Sequence, residues 1–348
     1  GGVAGLSAAW RLQQAGFTDF LIAELEDRMG GNSRYGENAV SLYPLGAHYL
    51  PLPGPEATAV RALLADFGVL QGDPKTPQPG YDERYLCATP QERLFQKGRW
   101  HEGLMPAALD TAEQTRIDTF HRRIETLRQW RDPQGLRAFA IPLAYSSRDP
   151  ALLALDKITF GAWLKQEQLD CPALRWYLNY ACLDDFGTGL DRVSAWAGLH
   201  YFCCRDGLAA NASSETVLTA PEGNGWLIRK LEERLQGHIR CGAMVTAIQE
   251  TPRHVAVDLW LAKENRRLRI ETRQLIWAGP LFVLGHLWPN APEAVRQAAS
   301  HFSYAPWLIA NLTLTEPPHT RTGAPLSWDN VLHNGQGLGY VNATHQQI

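Results

Sequence analysis

The chain has 348 residues, 45% of them apolar and 20% charged, with 12 tryptophans. That is long enough for two domains or one large one, because single cores stop growing near ~250–300 residues, and too apolar for disorder over most of its length. A net charge of −3, from 33 basic and 36 acidic residues, offers no basic excess to a nucleic-acid partner, and no run of ~18 apolar residues marks a membrane span in the visible chain.

The chain opens on GGVAGLSAAW. Gly2 and Gly5 stand where the last two glycines of a G-x-G-x-x-G turn would, and Leu6, Ala9 and Leu12 recur at helical spacing until Gly16 can end the helix. Phe20 to Ala23 reads as a short buried strand closing on Glu24, 22 residues after Gly2; a dinucleotide fingerprint has its ribose acid ~20 residues on. In that reading Gly2 admits a pyrophosphate close to the backbone and Gly5 admits close helix–sheet packing. The free N–H groups of the helix take phosphate charge, and Glu24 accepts the ribose hydroxyls. The alternative is an ordinary glycine-started helix and a strand ending in a solvated Glu. The fingerprint also expects a first strand and a first glycine ahead of Gly1, and any signal peptide would lie there too. Localisation is therefore left open: the visible chain favours the cytoplasm, and an export signal would sit in that preceding segment.

Gly30 and Gly31 follow six and seven residues after Glu24, where a nicotinamide domain would already be in its next crossover helix. A glycine pair there permits either a second close backbone approach or simply a tight loop. Taken together, GGVAGLSAAWRLQQAG, ELEDRMGGN and LGAHYL resemble the flavin-dependent amine oxidase and phytoene desaturase superfamily, within the glutathione-reductase-like class. The resemblance implies an α/β fold, with a Rossmann-like FAD-binding domain and an inserted, largely helical substrate domain. It implies that Glu24 binds the adenosine ribose, that Arg28, Gly30 and Gly31 line the pyrophosphate and ribityl region, and that Gly46, Ala47 and His48 pass near the isoalloxazine. Asn32 departs from the pattern, since many members have Arg there; Arg34 is the candidate replacement. Read by itself, His48 is equally a loop histidine bonded to the backbone.

The middle region is mostly helical by periodicity, in ATAVRALLADFG, TAEQTRIDTFHRRIETLRQW, FGAWLKQEQ and LRWYLNYACLDDFG. Asp184 and Asp185 are a like-charged pair: enclosed, one has a raised pKa; otherwise one caps a helix and the other is wet. Tyr201 and Tyr340 either line an aromatic cavity or are structural. The six cysteines show no C-x-x-C, with Cys203 and Cys204 reading as a core pair, and the eleven histidines form no cluster. No metal is expected.

The nucleotide pattern returns in GNGWLIRKLEERLQGHIRCGAMVTAIQE. Leu227, Leu231 and Leu235 form a helical stripe ended by Gly237, Ile239 lies in a short strand, and Val245 with Ile248 marks the next. By resemblance the Val245 backbone contacts the adenine. HVAVDLWLA alternates as a strand, QLIWAGP reads as a buried strand ending at Gly279-Pro280, and FSYAPWLIANLTL and GLGYVNATHQQI are strand-like. The expected organisation is an FAD-binding domain in two segments, 1–55 and 215–285, and a substrate domain in two, 56–214 and 286–348. The family's last flavin-domain segment is not in view before the chain stops at Ile348.

These readings predict non-covalently bound FAD. The expected activity is oxidation of a small organic substrate by hydride transfer to flavin N5 where the domains meet, with oxygen or another electron acceptor. The preference for an amine rests on the resemblance. Desaturation of an apolar substrate is the enzymatic alternative, and a non-catalytic flavin- or nucleotide-binding assembly protein is the other. No catalytic side chain and no oligomeric state is assigned, and no motif for hydrolysis or phosphoryl transfer is present.

Overall fold

The computed structural model describes residues 1–87, 92–108, 110–316, 318–319 and 321–343. Helices and strands are mixed, and the contacts divide the chain into two units, Gly1–Tyr49 with Ala220–Tyr304 and Leu50–Thr219 with Ala305–Ile348. Among the described residues no helix is long and apolar enough to cross a membrane.

In the first unit the opening glycines lead into the helix Val3–Gln14, which buries Leu6, Ala9 and Trp10. Gly16 follows in the left-handed region, φ +83°, where glycine carries no Cβ penalty. The strand expected over Phe20–Ala23 is only Ile22–Ala23, paired in parallel with Ile239–Arg240. Phe20 is held differently: its carbonyl meets His238 Nδ1 at 3.1 Å and its ring stacks on the imidazole at 4.3 Å. The helix Gly225–Arg234 buries Trp226, Leu227, Ile228 and Leu231, so the stripe read from the sequence is the buried face. After it, Ala243–Glu250, Val255–Leu261 and Arg266–Thr272 form an antiparallel meander, with a bulge between Val245 and Ala247. Its core is Ala243, Val257, Leu259 and Leu261.

The apolar run QLIWAGP does not form the expected strand. No neighbouring backbone pairs with it among the described residues, and Leu275 and Ile276 are exposed. The helices Leu281–Leu287 and Glu293–His301 come next. The first helix of the pair packs on Ala243–Glu250 and the second packs on the first, which carries this unit past residue 285 to Tyr304.

The second unit holds the helices Thr58–Asp66, Thr111–Gln129, Phe160–Gln166, Pro172–Phe186 and Ala195–Cys203. Its main core joins Phe120, Phe139, Phe160, Trp163, Leu174, Leu178 and Leu199. Asp110, Thr159 and Ser194 cap three of these helices through their side chains. Helical periodicity missed a four-stranded sheet in the order Tyr340–Val341, Asp329–Leu332, Glu92–Gln96, Arg99–Glu102. The last two strands are a hairpin whose turn residues, Lys97 and Gly98, both have positive φ, as a tight hairpin turn requires. The segment FSYAPWLIANLTL, expected as strand, forms no ladder among the described residues and is exposed from Phe302 to Leu314. The strand-like reading of GLGYVNATHQQI survives as Tyr340–Val341; residues 344–348 lie outside the described residues.

Candidate functional site

Two glycine turns face each other in the first unit. Gly2 and Gly30 form a parallel bridge, and the Gly30 N–H donates to the Gly1 carbonyl at 3.0 Å. Gly30 and Gly31 have φ of +124° and +54°. A Cβ on Gly31 would stand 3.3 Å from the Gly2 Cα, and one on Gly2 would stand 3.7 Å from the Gly31 Cα. Gly31 is thus required twice, by backbone conformation and by its approach to Gly2, and Gly30 by its conformation and by Arg34, whose Cγ a Cβ there would meet at 2.8 Å. Gly1, which the sequence reading passed over, is equally constrained: a side chain there would run into Glu24 Oε2, and Met29 Sδ would lie 2.8 Å away.

Glu24 leaves the strand Ile22–Ala23 as a buried carboxylate, 8% exposed. Its Oε1 accepts the Glu26 N–H at 2.8 Å, and its side chain closes on the backbone of Gly1, where a Cβ would stand 2.8 Å from the Glu24 Cβ. The acid thus lies against the opening of the first helix. The helix N-cap is Gly2, whose lack of a side chain leaves the cap without a side-chain hydrogen bond. The first intrahelical bond is Leu6 N–H to Gly2 carbonyl, so the N–H groups of Val3, Ala4 and Gly5 have no partner within the helix and carry the positive end of its dipole. A Cβ on Gly5 would meet the Ala278 Cβ at 3.5 Å.

The turn continues into the loop that carries His48. Ala47 N–H donates to the Asn32 carbonyl and Leu45 N–H to the Arg34 carbonyl, both at 3.1 Å. Arg34 reaches Glu26 at 3.7 Å, while its buried Nε has no hydrogen-bond partner. That orphaned donor beside the glycine pair suits an anion. Asn32 and Arg28 are exposed at the surface. His48 Nδ1 sits 3.4 Å from the Gly46 carbonyl; burial lowers its pKa, the backbone bond opposing, so it is neutral at pH 7. Gly46, Ala47 and His48 are braced by a turn the sequence reading did not single out. Asn224 N–H donates to the Ala47 carbonyl and Asn224 Nδ2 to the Tyr49 carbonyl, at 3.0 and 2.9 Å. Gly223, φ +56°, lies where a Cβ would press on the His48 Cα at 2.8 Å. The Gly-Asn-Gly run at 223–225 was the available signal.

Val245 lies in the meander, not beside the glycines. Its link to the site is through Glu24, whose carbonyl accepts the Ala243 N–H at 2.8 Å, and through Ala23, which packs on the same apolar cluster.

In the second unit, Glu92 and Asp329 are register partners on parallel strands and share a face with Leu94 and Val331, on which Trp176, Tyr177 and Tyr180 pack. Asp184 lies one turn beyond Tyr180. Desolvation first, then a neighbouring carboxylate, raises the pKa of each: Asp184 acts on Glu92, Asp185 acts on Asp184, and Glu92 with Asp184 acts on Asp329, which is raised to about 7. Glu92 nevertheless keeps solvent contact, so the cluster is crowded and not sealed. Asp185 pairs with Arg205 at 3.2 Å, and Arg205 lies over the Tyr201 ring at 4.2 Å. Tyr340 OH accepts from Arg93 at 3.3 Å. Among the described residues no His, Cys, Asp or Glu group has the arrangement to hold a metal ion.

A family model described as flavin containing amine oxidoreductase matches residues 3–341. Among curated proteins, Oxidoreductase PigB from Serratia sp. (strain ATCC 39006) is 24% identical over 148 residues, 40% of this chain and 19% of that protein. Among solved structures, wild-type putrescine oxidase bound to putrescine gives a TM-score of 0.61 at 18% identity, covering 87% of this chain and 62% of that one. A CLA-producing fatty acid isomerase from P. acnes gives 0.58 at 18%, covering 86% and 62%. At these identities the structural likeness is one of fold, and this chain spans under two thirds of the length of either solved relative.

Proposed function

We propose that this chain, which belongs to the flavin-containing amine oxidoreductase family, carries the dinucleotide-binding part of an FAD-dependent oxidoreductase acting on a small organic substrate, in the first instance an amine. The observation that carries the reading is the approach of Gly2 to Gly31 beside the buried Glu24 carboxylate. We assign the FAD-binding role, in a Rossmann-like arrangement, to residues 1–49 with 220–304, and the substrate role to the remainder.

Glu24 holds the adenosine ribose. Gly2, Gly30 and Gly31, with the free N–H groups of the first helix, take the pyrophosphate. Arg34 offers its unpaired Nε to the same charge, in place of the side chain that Asn32 lacks, and Arg28 is close enough in sequence to add long-range attraction. The loop Gly46-Ala47-His48 lies toward the flavin ring, with His48 neutral. Gly5 keeps the helix close to Ala278, and Val245 borders the adenine. When bound, FAD supplies a two-electron acceptor at N5. An amine would be oxidised at its α-carbon by that acceptor, water would convert the product to a carbonyl compound and ammonia or an amine, and oxygen or another acceptor would take up the two electrons and the accompanying protons.

The test is spectroscopic. The protein, loaded with FAD without oxygen, is offered separate amine, amino-acid and polyene panels while flavin bleaching is followed near ~450 nm. Bleaching by amines with an α-deuterium rate effect is the expected result. Bleaching by polyenes alone replaces the amine reading with desaturation, and no bleaching of a dithionite-reducible flavin favours a non-catalytic binding role.

A further inference from the structure

The run Gly223-Asn224-Gly225 is wedged against the loop that carries His48, and neither of its glycines has room for a side chain. A Cβ on Gly223 would stand 2.8 Å from the His48 Cα and 2.9 Å from the Ala47 carbonyl oxygen, and one on Gly225 would stand 2.5 Å from the Tyr35 ring. Asn224 therefore carries the only side chain of the run. Its Nδ2 donates to the Tyr49 carbonyl at 2.9 Å. A carbonyl can only accept, so this bond decides which end of the amide is nitrogen and which is oxygen. Oδ1, thus assigned, is closed off from solvent and has no hydrogen-bond donor among the described residues. Every residue involved belongs to the first unit. Folded proteins keep few buried acceptors in this condition, because each forfeits the bonds it made to water, and a bound water or cofactor group satisfies them.

We propose that Asn224 is a cofactor-binding residue, whose Oδ1 accepts a hydrogen bond from the ring end of FAD while its Nδ2 keeps hold of the Tyr49 carbonyl. This rests on the FAD reading above, which assigns Gly46, Ala47 and His48 to the flavin ring. Asn224 N–H donates to the Ala47 carbonyl at 3.0 Å, so its side chain starts one hydrogen bond away from that loop. The ring end of FAD brings donors of its own, the N3–H of the pyrimidine ring and the ribityl hydroxyls, and both call for an acceptor. An amide serves the two partners at once. A carboxylate in its place would face the Tyr49 carbonyl oxygen with no proton between them, and an apolar side chain would offer nothing to either.

The experiment uses the full chain labelled with carbon-13 at the asparagine Cγ, with the Asn224 resonance identified by its loss in Asn224→Ala. When FAD is added to the wild type, that resonance should move downfield, as a carbonyl carbon does when its oxygen accepts a hydrogen bond. In Asn224→Ala, FAD binding read by quenching of flavin fluorescence should weaken roughly tenfold, since a donor of the cofactor is left without an acceptor. N3-methylated FAD separates the two donors: a movement that survives it assigns the ribityl hydroxyls, and one lost with it assigns the ring N–H. A residue that only braces the loop would weaken binding when truncated but leave its own resonance in place. A wild type that binds FAD with the Asn224 resonance unmoved therefore overturns this inference and leaves the site reading intact. Unchanged affinity in Asn224→Ala overturns it too. A wild-type chain that binds no FAD rejects the site reading itself, and the inference with it.

Discussion

At the scale of single residues, the site is written in what the backbone cannot accommodate. A Cβ on Gly31 would combine a left-handed φ of +54° with a 3.3 Å approach to Gly2. Gly31→Ala is therefore expected to cost about 1–2 kcal/mol of stability and to weaken FAD binding by more than that strain alone, checked by urea melts and flavin titration. Glu24→Gln should weaken binding by about ten- to a hundredfold, since bonds to a charged acceptor are worth ~1.5–3 kcal/mol; an unchanged affinity removes Glu24 from the ribose. Gly5 separates two steric regimes. Its added Cβ would make only ordinary contact with Ala278 at 3.5 Å, so Gly5→Ala should bind FAD within a few-fold of wild type. Gly5→Val, whose two further methyls have to be placed against the same neighbour, should not. The positive φ of Gly30 and Gly31 is a requirement of the backbone itself, which is why a glycine pair shows it in the sequence. The bracing role of Asn224 was not legible, because its partner Tyr49 lies 175 residues away and the residue type is not unusual where it stands.

At the scale of elements, periodicity found helices well and strands poorly. A helix reports its buried face within its own sequence, as Leu227 and Leu231 do, whereas a strand exists only if another backbone supplies the ladder. FSYAPWLIANLTL and QLIWAGP have the composition of strands, yet neither forms a ladder among the described residues, and Leu275, Ile276, Trp307, Leu308 and Leu312 are exposed. The hairpin Glu92–Glu102 shows the converse: its neighbours make it a strand pair that helical spacing around it had hidden. Its outer partner creates a titrating element. Asp329, register-paired with Glu92 and faced by Asp184, has its pKa raised to about 7, by desolvation and then by those two carboxylates. A raised acid pKa favours the folded state most below the unfolded value near ~4 and loses that advantage as pH climbs through the folded value. The melting temperature should therefore fall between pH 5 and pH 8. Asp329→Asn should raise it at pH 8 and flatten the profile; an unchanged slope by calorimetry rejects the assignment.

At the scale of the whole molecule, binding and folding are linked through the first unit, because the cofactor residues lie in both of its segments. FAD at about 100 times its dissociation constant should stabilise the fold by ~2.7 kcal/mol, seen as a rise of several degrees in the melting temperature that Gly31→Ala abolishes. No rise, with an authentic FAD titration, contradicts the site. The strand that ends on Glu24 also has a consequence in time. Ile22 finds its parallel partner at Ile239, and synthesis at ~5–20 residues per second separates the two by about ten to forty seconds. Throughout that interval the first helix has made its Leu6 and Trp10 face but not the helix Gly225–Arg234 against which it packs. The helices of the intervening residues 50–219 emerge in that interval, and the strands Asp329–Leu332 and Tyr340–Val341 that complete the same unit come later still. The apolar face of the first helix, Leu6 and Trp10, thus waits for a partner made more than 200 residues later, which leaves it open to off-pathway contacts throughout that interval.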